Sequence, residues 1–388
     1  MNALGLDMLQ QNKVFCHSPW TNVDITPQGT MSPCCKFRYS KYNEQPLNIN
    51  KNSIDEYLNS TVLDQVKQDF NNGHWPAGCE RCKIEEDNNI ESKRQLDFQR
   101  WEDIYKNYDI ASRQFVTASV VFGNTCNLKC LSCNPWSSSL WQKEYNDIYM
   151  VNVTANQWYH KGFVSDLLRN APNLSHIDIS GGEPFLSGVD QQLELLLEYV
   201  KTGQSANMTL HYNTNVTIFP DSRWWALWEN FKEVDMQLSL DGVGSRAEYL
   251  RYPCNWQDID ANVSKYVTKS NELSNFRLSV SHTLSAYNIY YLDEFFTWCY
   301  NKQLPRPWVG RVHSPECIRP GVWPEHIKQH IIEHMKTSQH PDVTTWAQLL
   351  EHSNDSKMYD EFKKRIQQHD QYRHTDFKIT FPELAQYI

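Results

Sequence analysis

From about residue 113 onward, short apolar runs of β type alternate with stretches whose apolar residues recur at helical spacing. The runs Phe115–Phe122, Leu174–Ser180, Asn207–Asn213, Glu233–Leu240, Phe276–Leu284 and Trp308–His313 predict strands. Between them the spacing predicts helices near Ser138–Met150, Val189–Lys201, Ser222–Phe231, Trp256–Lys269 and Tyr287–Asn301. Such alternation requires crossover connections and therefore a parallel sheet. Six βα units are too few for a closed barrel of eight strands and suit an open, partial (β/α)6 barrel of TIM-like type. In such sheets the chemistry sits at the C-terminal ends of the strands. The first hundred or so residues read differently. They are irregular, with turn chemistry at Pro27-Gln28-Gly29 inside a short hairpin. A helix is predicted over Ser53–Phe70, where Ile54, Tyr57, Leu58, Leu63, Val66 and Phe70 fall at near-helical spacing, and a polar helical segment from about Asn88 to Tyr108.

Composition narrows the class. Of 388 residues, 40% are hydrophobic and 21% charged, which supplies a sizeable core and excludes a disordered or fibrous chain. The formal net charge is −9, and the longest basic cluster is Lys363-Lys364-Arg365. A protein built to grip phosphate backbones carries more positive charge than this. No apolar run reaches the length of a membrane span, and the opening MNALGLDMLQQNKVF shows no basic region followed by an apolar one. A soluble, cytoplasmic protein is expected.

Cysteine changes the picture most. Of 11 cysteines, eight fall early: Cys16, Cys34, Cys35, Cys79, Cys82, Cys126, Cys130 and Cys133. Cys254, Cys299 and Cys317 are scattered singly. An odd total and tight clustering argue against a disulfide framework and for a metal or redox centre.

Directly after the strand Phe115–Phe122, Cys126, Cys130 and Cys133 form a C-x3-C-x2-C. Three thiolates on one loop can hold three irons of a 4Fe–4S cube and leave the fourth without a protein ligand. A structural zinc site asks for four ligands, and no His or fourth Cys lies close in sequence. After the second predicted strand comes Ser180-Gly181-Gly182-Glu183-Pro184, where paired glycines at a strand end allow close backbone approach or positive φ. Further strand ends offer Asn213 and Asn215, Ser239 and Asp241, Ser279, Ser281, His282 and Thr283, and His313 with Ser314. A Ser and an Asp at a strand end can bond vicinal hydroxyls, although Asp-Gly is equally a turn signal.

The cysteine loop and the Gly-Gly-Glu-Pro motif, in this order on these elements, resemble the radical S-adenosylmethionine (radical SAM) superfamily. The resemblance implies that Cys126, Cys130 and Cys133 bind a 4Fe–4S cluster. It also implies that Ser180, Gly181, Gly182, Glu183, Pro184, Asn213, Ser239 and Asp241 contact S-adenosylmethionine, with Glu183 and backbone groups at its amino group. One departure is Ser132, where the superfamily usually carries an aromatic residue before the third cysteine.

A second constellation lies in front. Cys16 and Cys34 bracket Gly29 in a C-x12-G-x4-C, and Cys79 and Cys82 follow as a C-x2-C. Four thiolates of this kind can enclose a 4Fe–4S cluster or a zinc ion. The pattern resembles the auxiliary-cluster modules called SPASM and twitch domains in radical SAM enzymes, here N-terminal to the barrel. The glycine spacing favours Cys34 over its neighbour Cys35. The chain also resembles twitch-bearing proteins of this reversed order in Cys16–Trp20, Pro33-Cys34-Cys35, Ser92 with Arg94, and Asp370 with Arg373 ahead of Pro382-Glu383.

The expected organisation is thus a cysteine-rich module with its connecting helix over 1–112, a radical SAM partial barrel over 113–320 and a helical extension over 321–388. The resemblance implies an enzyme that reductively cleaves S-adenosylmethionine to a 5′-deoxyadenosyl radical, which takes hydrogen from a peptide or small-molecule substrate. It also implies an electron donor such as flavodoxin or ferredoxin. The alternatives are a non-catalytic protein stapled by zinc or iron–sulfur sites, and a radical SAM enzyme modifying nucleic acid, which a basic patch would favour. Cys254, Cys299, Cys317 and Tyr252 are candidates for quenching a product radical by chemistry type alone; a lone Cys more often packs as a small hydrophobe.

Overall fold

Eight strands form one open, mostly parallel sheet in the order β2-β1-β3-β4-β5-β6-β7-β8. They are β1 (Asn22–Ile25), β2 (Met31–Ser32), β3 (Thr117–Val120), β4 (His176–Ile179), β5 (Thr209–Thr214), β6 (Glu233–Ser239), β7 (Phe276–Leu284) and β8 (Trp308–Arg311). This computed structural model describes residues 12–88, 90–106, 108–109, 112–153, 158, 160 and 162–388. Residues 1–11, part of the opening read for an export signal, lie outside the described residues. Among the described residues no helix is long and apolar enough to cross a membrane.

The six strands expected from residue 113 onward are present as β3 to β8. The new feature is at the front. The hairpin around Gly29 is formed, with β1 antiparallel to β2, and β1 also pairs in parallel with β3, Asn22 opposite Thr117 and Ile25 opposite Val120. The front module therefore supplies two strands of the sheet. Gly29 makes the turn at φ +81°, a conformation that favours glycine.

Contacts divide the chain into two compact units that interleave in sequence. One comprises 1–124, 156–212 and 222–234; the other comprises 125–155, 213–221 and 235–388. In the first, Val23, Ile25, Ala118, Val120, Ile177, Ile179, Leu210 and Tyr212 alternate along their strands and are fully buried, as period-two patterning requires. Phe185, Tyr212, Trp224 and Trp228 pack ring on ring beside them. The other faces of these strands carry a polar row, Asp24, Ser119, Asp178 and His211, in direct register across β1, β3, β4 and β5. In the second unit, Met236, Leu238, Val280 and Leu284 are buried, and the helices Trp256–Glu272 and Leu292–Asn301 follow the β-to-α alternation. Helices Glu325–Lys336, Pro341–Glu351 and Tyr359–Arg373 occupy most of the C-terminal stretch.

The expected helix Ser53–Phe70 is two helices, Ile54–Leu58 and Thr61–Asn71. Ser53 and Glu56 form a reciprocal capping box at the start of the first, and Ser60 caps the second by accepting from the Leu63 N–H. A hydroxyl competing for backbone donors ends one helix and starts another without disturbing the apolar spacing. The first of these helices is tied to the helix Phe163–Asn170, since the Ile54 N–H donates to Asp166 at 2.6 Å.

Candidate metal centres

The front cysteines come from three separate segments. Cys16 precedes β1, Cys34 follows β2, and Cys79 and Cys82 lie at the entrance to the helix Glu80–Asp87. The structure brings these four side chains to the wall of one cavity, together with Phe37, Phe70, Trp75, Lys36, Lys93, Arg94 and Asp97. Cys35 is not part of that wall and is exposed. Behind the cavity, Phe15, Trp20, Phe37, Val62, Val66, Phe70 and Tyr108 form an apolar cluster against which Cys16, Cys34 and Cys79 pack. Burial pushes the Cys16 thiol up to about 11 and raises Cys34 and Cys79 further, and neighbouring thiols raise those last two as well. Thiols held this way give up their protons only to a compensating cation, which is what a metal centre provides. Among the described residues, no three His, Cys, Asp or Glu side chains converge on a single ion. Four thiols on the wall of one cavity match in number the ligands of a fully coordinated 4Fe–4S cluster.

The loop leaving β3 holds Cys126, Cys130 and Cys133, all partly or fully buried. The Cys126 sulfur accepts from the Leu128 N–H at 3.4 Å and from the Asn215 amide at 3.6 Å. Asn215, on the segment after β5, also donates to Asn127 at 3.0 Å. Burial raises Cys130 strongly and lifts Cys133 to about 11; the Arg251 guanidinium pulls both back down. Arg251 is half-buried and bonds Asp241 at 2.7 Å, and the second Asp241 oxygen accepts from the Thr283 N–H at 2.8 Å. Asp241 thus orients a cation toward the cysteine loop, and both its oxygens carry protein partners. Ser239 ends β6 two residues earlier. His282 is fully buried and not part of an exposed loop; its Nδ1 faces the Leu240 carbonyl at 3.1 Å, and burial lowers it to about 4.

The same loop is held from outside by the helix Tyr359–Arg373. Arg373 donates to the Lys129 carbonyl at 2.8 Å and Arg365 to the Leu131 carbonyl at 3.4 Å, on either side of Cys130. Buried Glu144 collects Lys129 at 2.7 Å, His369 at 2.7 Å and Arg373 at 2.8 Å. Asp370 accepts from the Phe377 N–H at 2.8 Å and from the Thr375 hydroxyl at 2.7 Å, turning the chain after the helix. The Asp370/Arg373 pair noted in sequence is explained by these two jobs. Arg251, Glu144 and His369 were missed, because single titratable residues outside any motif look like solvated surface until their packing is seen.

After β4, Gly181 and Gly182 both take positive φ, +82° and +54°. A Cβ on Gly181 would stand 2.0 Å from the Val121 side chain, so glycine is required there by packing against β3. Glu183 is fully buried, and Gln192 fastens the next turn by donating to the carbonyls of Pro184 and Ser187, both at 2.7 Å. Asn213 lies near the end of β5, Ser180 at the end of β4, and both are half-buried. Cys299 and Cys317 are buried as small hydrophobes, and the Cys254 thiol faces the Ala247 carbonyl at 3.5 Å.

Fold and sites together define an α/β protein with a cysteine-caged module at its front. Residues 16–83 match the model of the SPASM family, an iron–sulfur cluster-binding domain. The front of the chain therefore carries a SPASM-type domain, as its cysteine spacing implied. No curated protein sequence matches the chain. Among solved structures it is similar to native anSMEcpe with bound AdoMet, at 17% identity over 51% of this chain and 52% of that one, with TM-score 0.39. It is also similar to Streptococcus suis SuiB bound to S-adenosylmethionine, at 11% identity over 76% and 64% of the two chains, TM-score 0.35. A third is TYW1 with a lysine-pyruvate adduct bound, at 13% identity over 66% and 88%, TM-score 0.32. The chain spans about half the length of the first of these structures.

Proposed function

We propose that this chain is a radical SAM enzyme with a SPASM-type auxiliary cluster, acting on a peptide or small molecule. The observation that carries the reading is the loop after β3. Cys130 is buried and Cys126 and Cys133 are half-buried, the Cys126 sulfur is met by two N–H donors, and Arg251 stands beside Cys130 and Cys133. Cys126, Cys130 and Cys133 would hold a 4Fe–4S cluster with one iron left for a chelating ligand. Bound together with S-adenosylmethionine, that cluster supplies a 5′-deoxyadenosyl radical for hydrogen abstraction. The chain's own residues hold the cysteine loop in place and set the Arg251 cation beside it. Ser180 to Pro184, Asn213 and Ser239 are the proposed S-adenosylmethionine contacts, and Asp241 acts by holding Arg251.

Cys16, Cys34, Cys79 and Cys82 would ligate the second cluster completely. A centre without an open iron carries electrons or shapes a pocket and does not bind substrate itself. The net charge of −9 and the short basic cluster at residues 363–365 favour a peptide or small molecule over nucleic acid. An odd number of cysteines, 11, mostly in groups, suits a reducing compartment such as the cytoplasm, and an electron donor of the flavodoxin or ferredoxin kind fits that setting.

The test is anaerobic reconstitution with iron and sulfide. The protein should turn brown, carry about eight irons, four per cluster, and release 5′-deoxyadenosine from S-adenosylmethionine when reduced. Replacing Cys126, Cys130 and Cys133 together by Ala should halve the iron and abolish that release. A colourless protein holding zinc, with no cleavage, would favour the stapled interaction protein instead.

A further inference from the structure

Arg94 and Lys93 lie beyond the residues matched by the SPASM model, yet both line the cavity of the front cysteines. Arg94 is buried, and among the described residues its hydrogen bonds run to segments that carry a cysteine. Its Nη1 donates at 2.8 Å to the carbonyl of Phe15, the residue before Cys16. Its Nε and Nη2 grip both oxygens of Glu86 at 3.0 and 2.6 Å. Glu86 belongs to the helix Glu80–Asp87, whose first turn carries Cys82. Ser92 steadies the same carboxylate with a hydroxyl bond at 2.6 Å, and the guanidinium lies over the Trp75 ring at 5.4 Å. A parallel latch joins Lys36, two residues after Cys34, to Glu85 of that helix at 2.7 Å.

Charge follows the same plan. The wall of the cavity carries four thiols, the cations Lys36, Lys93 and Arg94, and the single carboxylate Asp97. Lys93 pairs with Asp97 at 2.7 Å along its own helix and, among the described residues, makes no hydrogen bond to a cysteine-bearing segment, facing Cys34 and Cys35 through charge alone. A four-thiolate cluster is an anion on balance, and its potential depends on the charge around it.

We propose that Arg94 is a positioning residue of the front cluster, locking the Cys16 segment to the Cys82 helix, and that Lys93 and Arg94 together raise the cluster's reduction potential. This rests on the reading of the front cavity as an iron–sulfur site, and the experiment separates the two. Wild-type, Arg94→Gln, Arg94→Lys and Lys93→Gln chains are reconstituted anaerobically. Iron is counted at both centres, and the potential of the front centre is followed by redox titration in chains also lacking Cys126, Cys130 and Cys133.

Arg94→Gln should lower front-cluster occupancy at least twofold while iron at Cys126, Cys130 and Cys133 stays. Arg94→Lys should restore the charge without the fork, so occupancy stays low and the residual cluster keeps its potential. Lys93→Gln should keep full occupancy and move the potential to a more negative value. Full front iron in Arg94→Gln, or loss of both clusters together, overturns the latch. An unchanged potential in Lys93→Gln overturns the electrostatic role. A wild type that takes no iron at the front centre refutes the underlying iron–sulfur reading, not the arrangement of the latch.

Discussion

Glu144→Gln isolates the charge that anchors the cysteine loop while keeping the side chain's shape. Burial alone would raise this carboxyl, but His369, Arg373 and Lys129 outweigh it and hold it at about 2, against an ordinary 4.5. A depression of 2.5 units at roughly 1.4 kcal/mol per unit amounts to about 3 kcal/mol favouring the folded carboxylate at neutral pH. Removing one partner of a buried ionic group costs about 3–5 kcal/mol, so two routes agree. The sign follows from a folded pKa below the unfolded one. The contribution is fully present above pH 5 and drains away as pH falls from about 5 toward 2. His369, lowered to about 4 by burial, adds a loss in the same direction beginning near its ordinary 6.5. Urea unfolding of metal-free wild type and Glu144→Gln at several pH values measures the gap. It should be about 3 kcal/mol at pH 7.5 and should shrink steadily below pH 5. A gap under about 0.5 kcal/mol at pH 7.5, or one that does not change with pH, would refute the assignment of Glu144 as a charged anchor.

Two further substitutions separate neighbours that sequence alone treats alike. Cys34→Ser should cost the front centre its iron, whereas Cys35→Ser should leave the count at the wild-type value; iron analysis of both decides which thiol faces the cavity. Gly181→Ala places a Cβ against Val121 at a positive φ and should destabilise the chain by about 1–3 kcal/mol. Calorimetry showing no loss of stability would mean that the strand end relaxes freely.

The sheet was legible because strands and crossover helices leave different periodicities. β7 and the helix Val189–Lys201 fall where the pattern placed them. The cysteine spacings located both candidate centres for a similar reason, since thiols in groups have few other uses. What the sequence hid was long-range pairing. The four residues of β1 carry no mark of a parallel partner in β3, about 95 residues away. The short helix Ser245–Leu250, which ends just before Arg251, offers too few turns for a periodic signal. Arg251 and Glu144 carry no local mark in the sequence, because the packing that gives them their meaning is not encoded in local pattern, whereas Arg94 was marked beside Ser92 only by resemblance.

The pairing of β1 with β3 has a consequence during synthesis. At about 5–20 residues per second, a ribosome needs roughly 5–19 s to travel from Asn22 to Thr117. By the end of that interval Cys16, Cys34, Cys79 and Cys82 have all been synthesised, while the hairpin between the first two still has one edge bare. An unpaired edge invites other strands, and half-organised thiols invite oxidants and stray metals. The front hairpin gains its second neighbour only when β3 has been made, so the strand that links Cys16 to Cys34 takes its final place in the sheet late in synthesis.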